Sequence, residues 1–289
     1  SISAIMSCTD CFRGSIHDGE PTGTEEIIHG VRTYIASPDT AASSQSTIIF
    51  VTDAFGFHLV NSKILADIYA SRTGFCVLVP DIIPGGGVPL SSLALMETAT
   101  APVAWWNIYG QVRRVVTVLR MMTIFMPFAI RTRGVFPSLL AYARAVKADL
   151  PAGAKLGAAG FCWGGLQTTK LTEQAAIVGG SKPLIDAHFT AHPAGMKPQQ
   201  FIESYRRFKV PLSIAVGDQD FVLSKDNVAT IEAGFREEYG EGKNMSYEIK
   251  LYAGCGHGFA VRADEKKTVE NKGAQQATSQ AVTWFKNLL

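Results

Sequence analysis

The stretch Gly157-Ala158-Ala159-Gly160-Phe161-Cys162-Trp163-Gly164-Gly165 constrains this chain more than any other. Lys155 to Phe161 is a short run of mostly small apolar residues that reads as a buried strand, and Leu166 to Leu171 begins a helix. Between them lies a G-x-C-x-G pattern. A residue on so sharp a strand-to-helix turn is driven into a strained backbone conformation, and neighbouring chain passes so close that only small residues fit. The turn lifts the sulfur to the top of a sheet. It also aims the first amides of the next helix at the same point, which favours a thiolate and an oxyanion together. Taken alone, a glycine-flanked cysteine at a strand end reads equally well as a small buried hydrophobe.

Two downstream features turn the reading toward chemistry. Gly217-Asp218-Gln219-Asp220 follows the apolar run Val210 to Val216, so a carboxylate sits just past a predicted strand. Gly254-Cys255-Gly256-His257-Gly258-Phe259 follows Tyr247 to Tyr252, so a histidine sits in a glycine-rich loop after the next strand. Nucleophile, acid and histidine in that chain order are the components of a catalytic triad on a strand-turn-helix elbow. Asp218 and Asp220 both follow the strand, and only one of them can meet the imidazole Nδ1.

The 289 residues suit one α/β domain over residues 1–289. Hydrophobic residues make up 47% and charged residues 18%, a core-rich balance that excludes disorder. A net charge of +2, with no basic cluster interleaved with aromatics, gives no electrostatic case for nucleic acid. Residues Ser7 to Asp18 are polar and charged where a signal peptide would need an apolar core. Five cysteines, an odd number, argue against a disulfide framework and for the reducing cytoplasm. Cys8 and Cys11 form a C-x-x-C, but no second such pair completes a zinc site, and no metal or other cofactor is expected. The expected partner is a small-molecule substrate, with no membrane span; a homodimer is left open.

Along the chain, residues 1–24 read as an N-terminal arm, and Glu26 to Ala36 as an edge hairpin. Thr47 to Val51 is a strand covered on both faces. It ends at Thr52-Asp53-Ala54-Phe55-Gly56, on the sheet edge where open α/β sheets place ligands. Asn61 to Ser71 reads as a helix, and Phe75 to Asp81 as a strand with Cys76 in the core. Residues 102–133 are rich in large apolar side chains, broken by Arg120 and Pro127 and too short to span a bilayer. They read either as a buried helix pair or as a cap, within about 90–133, that lines an apolar pocket with Trp105, Trp106, Tyr109 and Phe125. A helix from Gly134, a strand from Leu184 to Pro193 and helices over 225–239 and 267–289 follow. His192 reads either as a residue lining the site or, favoured on exposure grounds, as a satisfied loop histidine. The alternation predicts a doubly wound, mostly parallel sheet flanked by helices.

With these motifs assembled, the chain resembles the dienelactone hydrolase family of α/β-hydrolases. The matching features are Thr52 to Gly56, Val79-Pro80-Asp81, Gly160 to Gly165, Gly217 to Asp220 and Gly256-His257-Gly258-Phe259. Cys8-Thr9-Asp10-Cys11-Phe12 and His17-Asp18-Gly19-Glu20-Pro21 resemble the family's fungal branch. Coverage is nearly end to end, weakest from Leu90 to Arg133. The resemblance implies an α/β-hydrolase fold and a cysteine-dependent hydrolase of a lactone, ester or thioester bond in a small, largely apolar molecule. It assigns Cys162 as nucleophile, His257 as base and Asp220, by its G-x-x-D spacing from Gly217, as orienting acid. The amides of Trp163 and Ala54 become the oxyanion hole. Asp53 stands where the family has a glutamate that keeps the resting thiol neutral. Arg262 falls one position from the family's arginine for a substrate carboxylate, while a second family arginine has no counterpart. Phe55 and Trp105 complete the residues expected to gate the thiol or meet substrate. The same site admits two other outcomes: lactone closure on a polyketide-like intermediate of secondary metabolism, or a non-catalytic binding protein on this fold.

Overall fold

A computed structural model describes residues 19–38, 45–101, 103–240, 247–263 and 267–289. Cys8, Cys11 and the arm through residue 18 lie outside the described residues. The sheet starts from a hairpin. β1 (Thr24–Ile28) and β2 (Val31–Ala36) pair antiparallel with Ile28 opposite Val31, leaving His29-Gly30 as the loop. Both loop residues have positive φ, 49° and 77°, the turn geometry whose twist matches that of the strands it joins.

The chain then alternates. β3 (Thr47–Val51), α1 (Val60–Thr73) and β4 (Cys76–Pro80) lead into α2 (Ser92–Thr100), α3 (Ile108–Arg131) and α4 (Phe136–Asp149). β5 (Leu156–Phe161), α5 (Trp163–Thr172), β6 (Ala187–Ala191), α6 (Pro198–Arg206) and β7 (Leu212–Gly217) follow. α7 (Lys225–Tyr239), β8 (Tyr247–Tyr252), α8 (Phe259–Arg262) and α9 (Thr268–Leu288) complete it. The strands form one eight-stranded sheet in the order β1-β2-β4-β3-β5-β6-β7-β8. β2 pairs antiparallel with β1 and β4, and every other pairing is parallel. α1, α8 and α9 pack on one face and α5 with its neighbours α4 and α6 on the other, with α7 against α6. Covered on both sides, β3, β5, β6 and β7 are buried at every residue. This is the doubly wound sheet expected from the alternation, in the α/β-hydrolase arrangement that the family resemblance implied.

Register decides which strand ends meet. Val51 of β3 lies opposite Gly160 of β5, so the same offset carried two residues further sets Asp53 beside Cys162. Phe161 lies opposite Ala191 of β6, and Ala191 opposite Ala215 of β7. Cys162, His192 and the turn after β7 therefore leave the sheet at one edge.

Residues 90–133 depart from expectation. α2 and α3 pack on each other, but α3 buries only Thr117 and Phe128 along its length. Trp105 is 83% exposed, edge-on to Trp106 at 5.6 Å, and Tyr109 is also exposed. The region is neither a buried pair nor an apolar pocket wall built from Trp105. The reason is length: α3 rises roughly 36 Å, and only its C-terminal turns reach the sheet edge. There the Phe128 ring meets Trp163 at 5.8 Å, and Arg131 Nη2 donates to the Gly86 carbonyl at 2.6 Å. Trp105 sits roughly 30 Å up the helix from Phe128. No single helix among the described residues is long and apolar enough to cross a membrane; α3 and α4 reach that composition only together, across a 56° bend.

Candidate active site

The elbow is strained as the small-residue pattern requires. Cys162 has φ 51° and ψ −116°, unfavourable for any residue with a Cβ, and caps the N-terminus of α5. The turn is held by its own carbonyl, which accepts from Gly165 N at 3.0 Å and Ala194 N at 3.0 Å, while Cys162 N donates to Ala191 O at 3.2 Å. Gly164 is needed because a Cβ there would lie 2.3 Å from Val51 O and 2.4 Å from Thr52 O. Backbone on both sides cannot yield, so α5 docks against β3 only through glycine.

Across the sheet edge the turns after β7 and β8 deliver the remaining groups. His257 Nε2 lies 3.2 Å from Cys162 Sγ. Its Nδ1 lies 2.9 Å from Asp220 Oδ2 and 3.1 Å from Oδ1. Asp220 is fixed in turn by the amides of Val222 and Leu223, which donate to Oδ1 at 2.8 and 3.0 Å. Asp218 points elsewhere: it accepts from Gly254 N at 2.8 Å and meets Lys225 at 3.4 Å. Of the two carboxylates, only Asp220 bonds the imidazole. Burial pulls the His257 imidazole down, but the charge on Cys162 and the bond to Asp220 outweigh it and raise the group to about 9. The arrangement suits proton transfer between sulfur and imidazole, with the carboxylate orienting the ring.

Comparison with known proteins identifies the family. The profile of the dienelactone hydrolase family matches residues 31–289. The chain belongs to the dienelactone hydrolase family. Such membership makes it a hydrolase of ester or lactone bonds. Among its relatives, the hydrolase pyvD of Aspergillus violaceofuscus is 27% identical over 282 residues, covering 96% of each chain. The hydrolase tropI of Talaromyces stipitatus is 25% identical over 285 residues, 98% of this chain and 97% of its own. A solved structure described as a dienelactone hydrolase from Klebsiella pneumoniae shares the fold with a TM-score of 0.60 and 18% identity, covering 91% of this chain and 97% of that one.

In this dienelactone hydrolase family member, the other expected residues fall into three groups. Asp53, Phe55 and Arg262 come together: Asp53 Oδ2 is ion-paired with Arg262, Asp53 Oδ1 accepts from Phe55 N at 2.9 Å, and the guanidinium lies 4.8 Å over the Phe55 ring. All three side chains are buried. Gly258, with φ 93°, starts α8 and leaves room for the Arg262 guanidinium, which a Cβ would meet at 2.0 Å. Trp163 is the first residue of α5, where an amide has no intrahelical acceptor, and Ala54 follows Asp53 in the facing turn. Trp105 stays apart on the far end of α3.

Two residues carry more than the sequence reading gave them. His192 is fully buried with φ 38°, and neither ring nitrogen has a partner among the described residues. Its ring stands edge-on to His257 at 5.2 Å. Burial, reinforced by the charges of His257 and Arg262, holds it well below the usual histidine range, so it stays neutral. The expected satisfied loop histidine is a buried neighbour of His257 instead. The signal in the sequence was its place directly after a buried strand, beside the elbow strand. Phe221 is 58% exposed and faces His257 at 5.7 Å. A groove of about 1680 Å³ between β8 and α9 has none of the triad in its walls. Among the described residues no cluster of His, Cys, Asp and Glu suits a metal ion.

Proposed function

We propose that the chain is a cysteine-dependent hydrolase of a lactone, ester or thioester bond in a small, largely apolar molecule. The observation that carries this reading is the unbroken path from Asp220 through His257 to Cys162 Sγ on a strained elbow. With the proton of the pair on His257 Nε2, the Cys162 sulfur attacks the substrate carbonyl carbon. The resulting oxyanion sits between the amides of Trp163 and Ala54, which supply charge stabilisation as it forms. Collapse breaks the bond to the leaving oxygen or sulfur, which receives the proton from His257. Water, deprotonated by the same imidazole, then attacks the acyl-enzyme thioester and releases the acid and Cys162. An apolar substrate is supported by the rings around the site: Trp163 with Phe128, Phe221 facing His257, and Phe55 under Arg262. Arg262 is occupied by Asp53 at rest. A substrate carboxylate would compete for that guanidinium and free Asp53 toward the adjacent Cys162.

The test is turnover of p-nitrophenyl acetate. Cys162→Ala should lose activity by roughly 10³-fold or more, while Cys255→Ala keeps most of it. Cys255 is fully buried, and burial together with the Glu270 and Asp218 carboxylates pushes its thiol up to about 11. Equal losses in the two variants would overturn the assignment. Products formed in oxygen-18 water separate the chemistries: label in the acid marks hydrolysis, and an unlabelled ring-closed product marks lactone closure.

A further inference from the structure

We propose that the outer face of α3 is the interface of a two-fold homodimer, in which α3 of one copy packs along α3 of a second. Six residues carry the pattern: Ile108, Val112, Val115, Leu119, Met122 and Met126, each between 49% and 76% exposed. Their spacing of four, three, four, three and four residues is the 3.5-residue repeat of a seam between two helices. A helix that only had to bury one side against its own sheet would place these residues inward. Here the inward side is taken by Thr117 and Phe128, a half-turn away, so the seam is a second apolar face with no partner among the described residues of the protomer.

The residues flanking the seam favour an identical partner. Tyr109, Gln111, Val116, Val118 and Thr123 hold the positions where coiled coils place the charges that choose between partners. None of the five is charged. Arg113, Arg114 and Arg120 lie further round the helix, so two copies meet without like charges facing each other across the seam. No Asp or Glu occurs between Glu97 and Asp149, so the face also offers nothing to a basic partner. Self-complementarity of one patch is what a two-fold interface demands.

Area points the same way. With exposed Trp105 and Trp106 at its N-terminal end, the apolar surface is on the order of 1,000 Å². The largest patch on a typical monomer is about 300–600 Å². A stable dimer needs about 800 Å² from each partner. The seam ends at Met126, just before Pro127, which interrupts the helical hydrogen bonds. The turn beyond it is the part committed to the active site through Phe128 and Arg131. Dimer contact and site contact thus occupy successive parts of one helix.

The experiment is sedimentation velocity of the full chain at tens of micromolar, with Leu119→Glu and Val115→Glu as variants. Both side chains are already exposed, so the substitutions bury no charge in the protomer. Circular dichroism melting reports that each variant is folded. The expected result is a wild type of twice the 31.1 kDa chain mass and variants whose dissociation constant rises by roughly 100-fold or more, with unchanged melting. A monomeric wild type overturns the proposal, as does a dimer untouched by both variants. A monomer that co-sediments with phosphatidylserine vesicles, and loses that binding in Leu119→Glu, overturns it in favour of a lipid surface.

Discussion

Asp53 uses its two carboxylate oxygens differently, and the consequence is testable at the level of one residue. Oδ1 caps the turn by accepting from Phe55 N, while Oδ2 holds the Arg262 guanidinium. The first is a local bond that any Asx turn makes. The second ties the end of β3 to α8, 209 residues later. Removing the carboxylate charge leaves a buried guanidinium unbalanced next to the elbow. We expect Asp53→Asn to speed iodoacetamide labelling of Cys162 near neutral pH, slow turnover and lower the melting temperature together. An uncompensated buried charge costs about 3–5 kcal/mol. Labelling measured per folded molecule separates the effects. An unchanged labelling rate would reduce Asp53 to the cap of its turn. Aspartate, one methylene shorter than the family's glutamate, still reaches both partners because the register of β3 against β5 brings its backbone to the elbow.

At the scale of elements, the elbow depends on α5 approaching β3 more closely than side chains allow. Gly164→Ala puts a methyl against two backbone carbonyls, and neither Val51 nor Thr52 can move without breaking the β3 ladder. Urea denaturation should show a loss of about 3 kcal/mol or more. Gly134→Ala is the control, because a Cβ there meets nothing within 4 Å, and it should stay within about 0.5 kcal/mol of wild type. Comparable losses in both would mean that elbow packing is not limited by Gly164. The α2–α3 hairpin shows the opposite regime. Its sequence is as apolar as the core, yet α3 faces outward, because amphipathic periodicity says which residues share a face and not what that face meets.

For the molecule as a whole, the raised imidazole of His257 couples stability to pH. A folded-state value of about 9 against the ordinary 6.5 means that the native state holds this proton more tightly than the unfolded chain does. Its contribution is therefore full below about pH 6.5 and is lost as pH rises through 9. The melting temperature of wild type relative to His257→Gln, followed from pH 6 to 10, should show the wild-type advantage shrinking across that window. A constant difference would mean that Cys162 and Asp220 do not hold the proton. This pH dependence needs all three chain segments in place, since the groups that raise the imidazole lie 95 and 37 residues from it.

The sequence by itself determined the sheet and the elbow, and it singled out the cysteine and histidine that the structure brings to 3.2 Å of each other. Those features rest on short-range rules: alternation of strand and helix, small residues around Cys162, and glycines around His257. The choice of Asp220 over Asp218 came from family spacing, and the hydrogen bonds agree with it because the two amides after Asp220 turn its carboxylate inward while Gly254 N takes Asp218. Only the tertiary structure decided the rest. His192 acquires its place against His257 from the register of β6 with β5 and β7, which no local pattern encodes. Arg262 finds Asp53 because α8 folds back over the end of β3. Trp105 leaves the site because a long helix carries it away, although its composition matched a pocket wall. Hydrophobicity along a chain measures how much surface must be covered. Which surface covers it is decided by contacts between segments far apart in sequence.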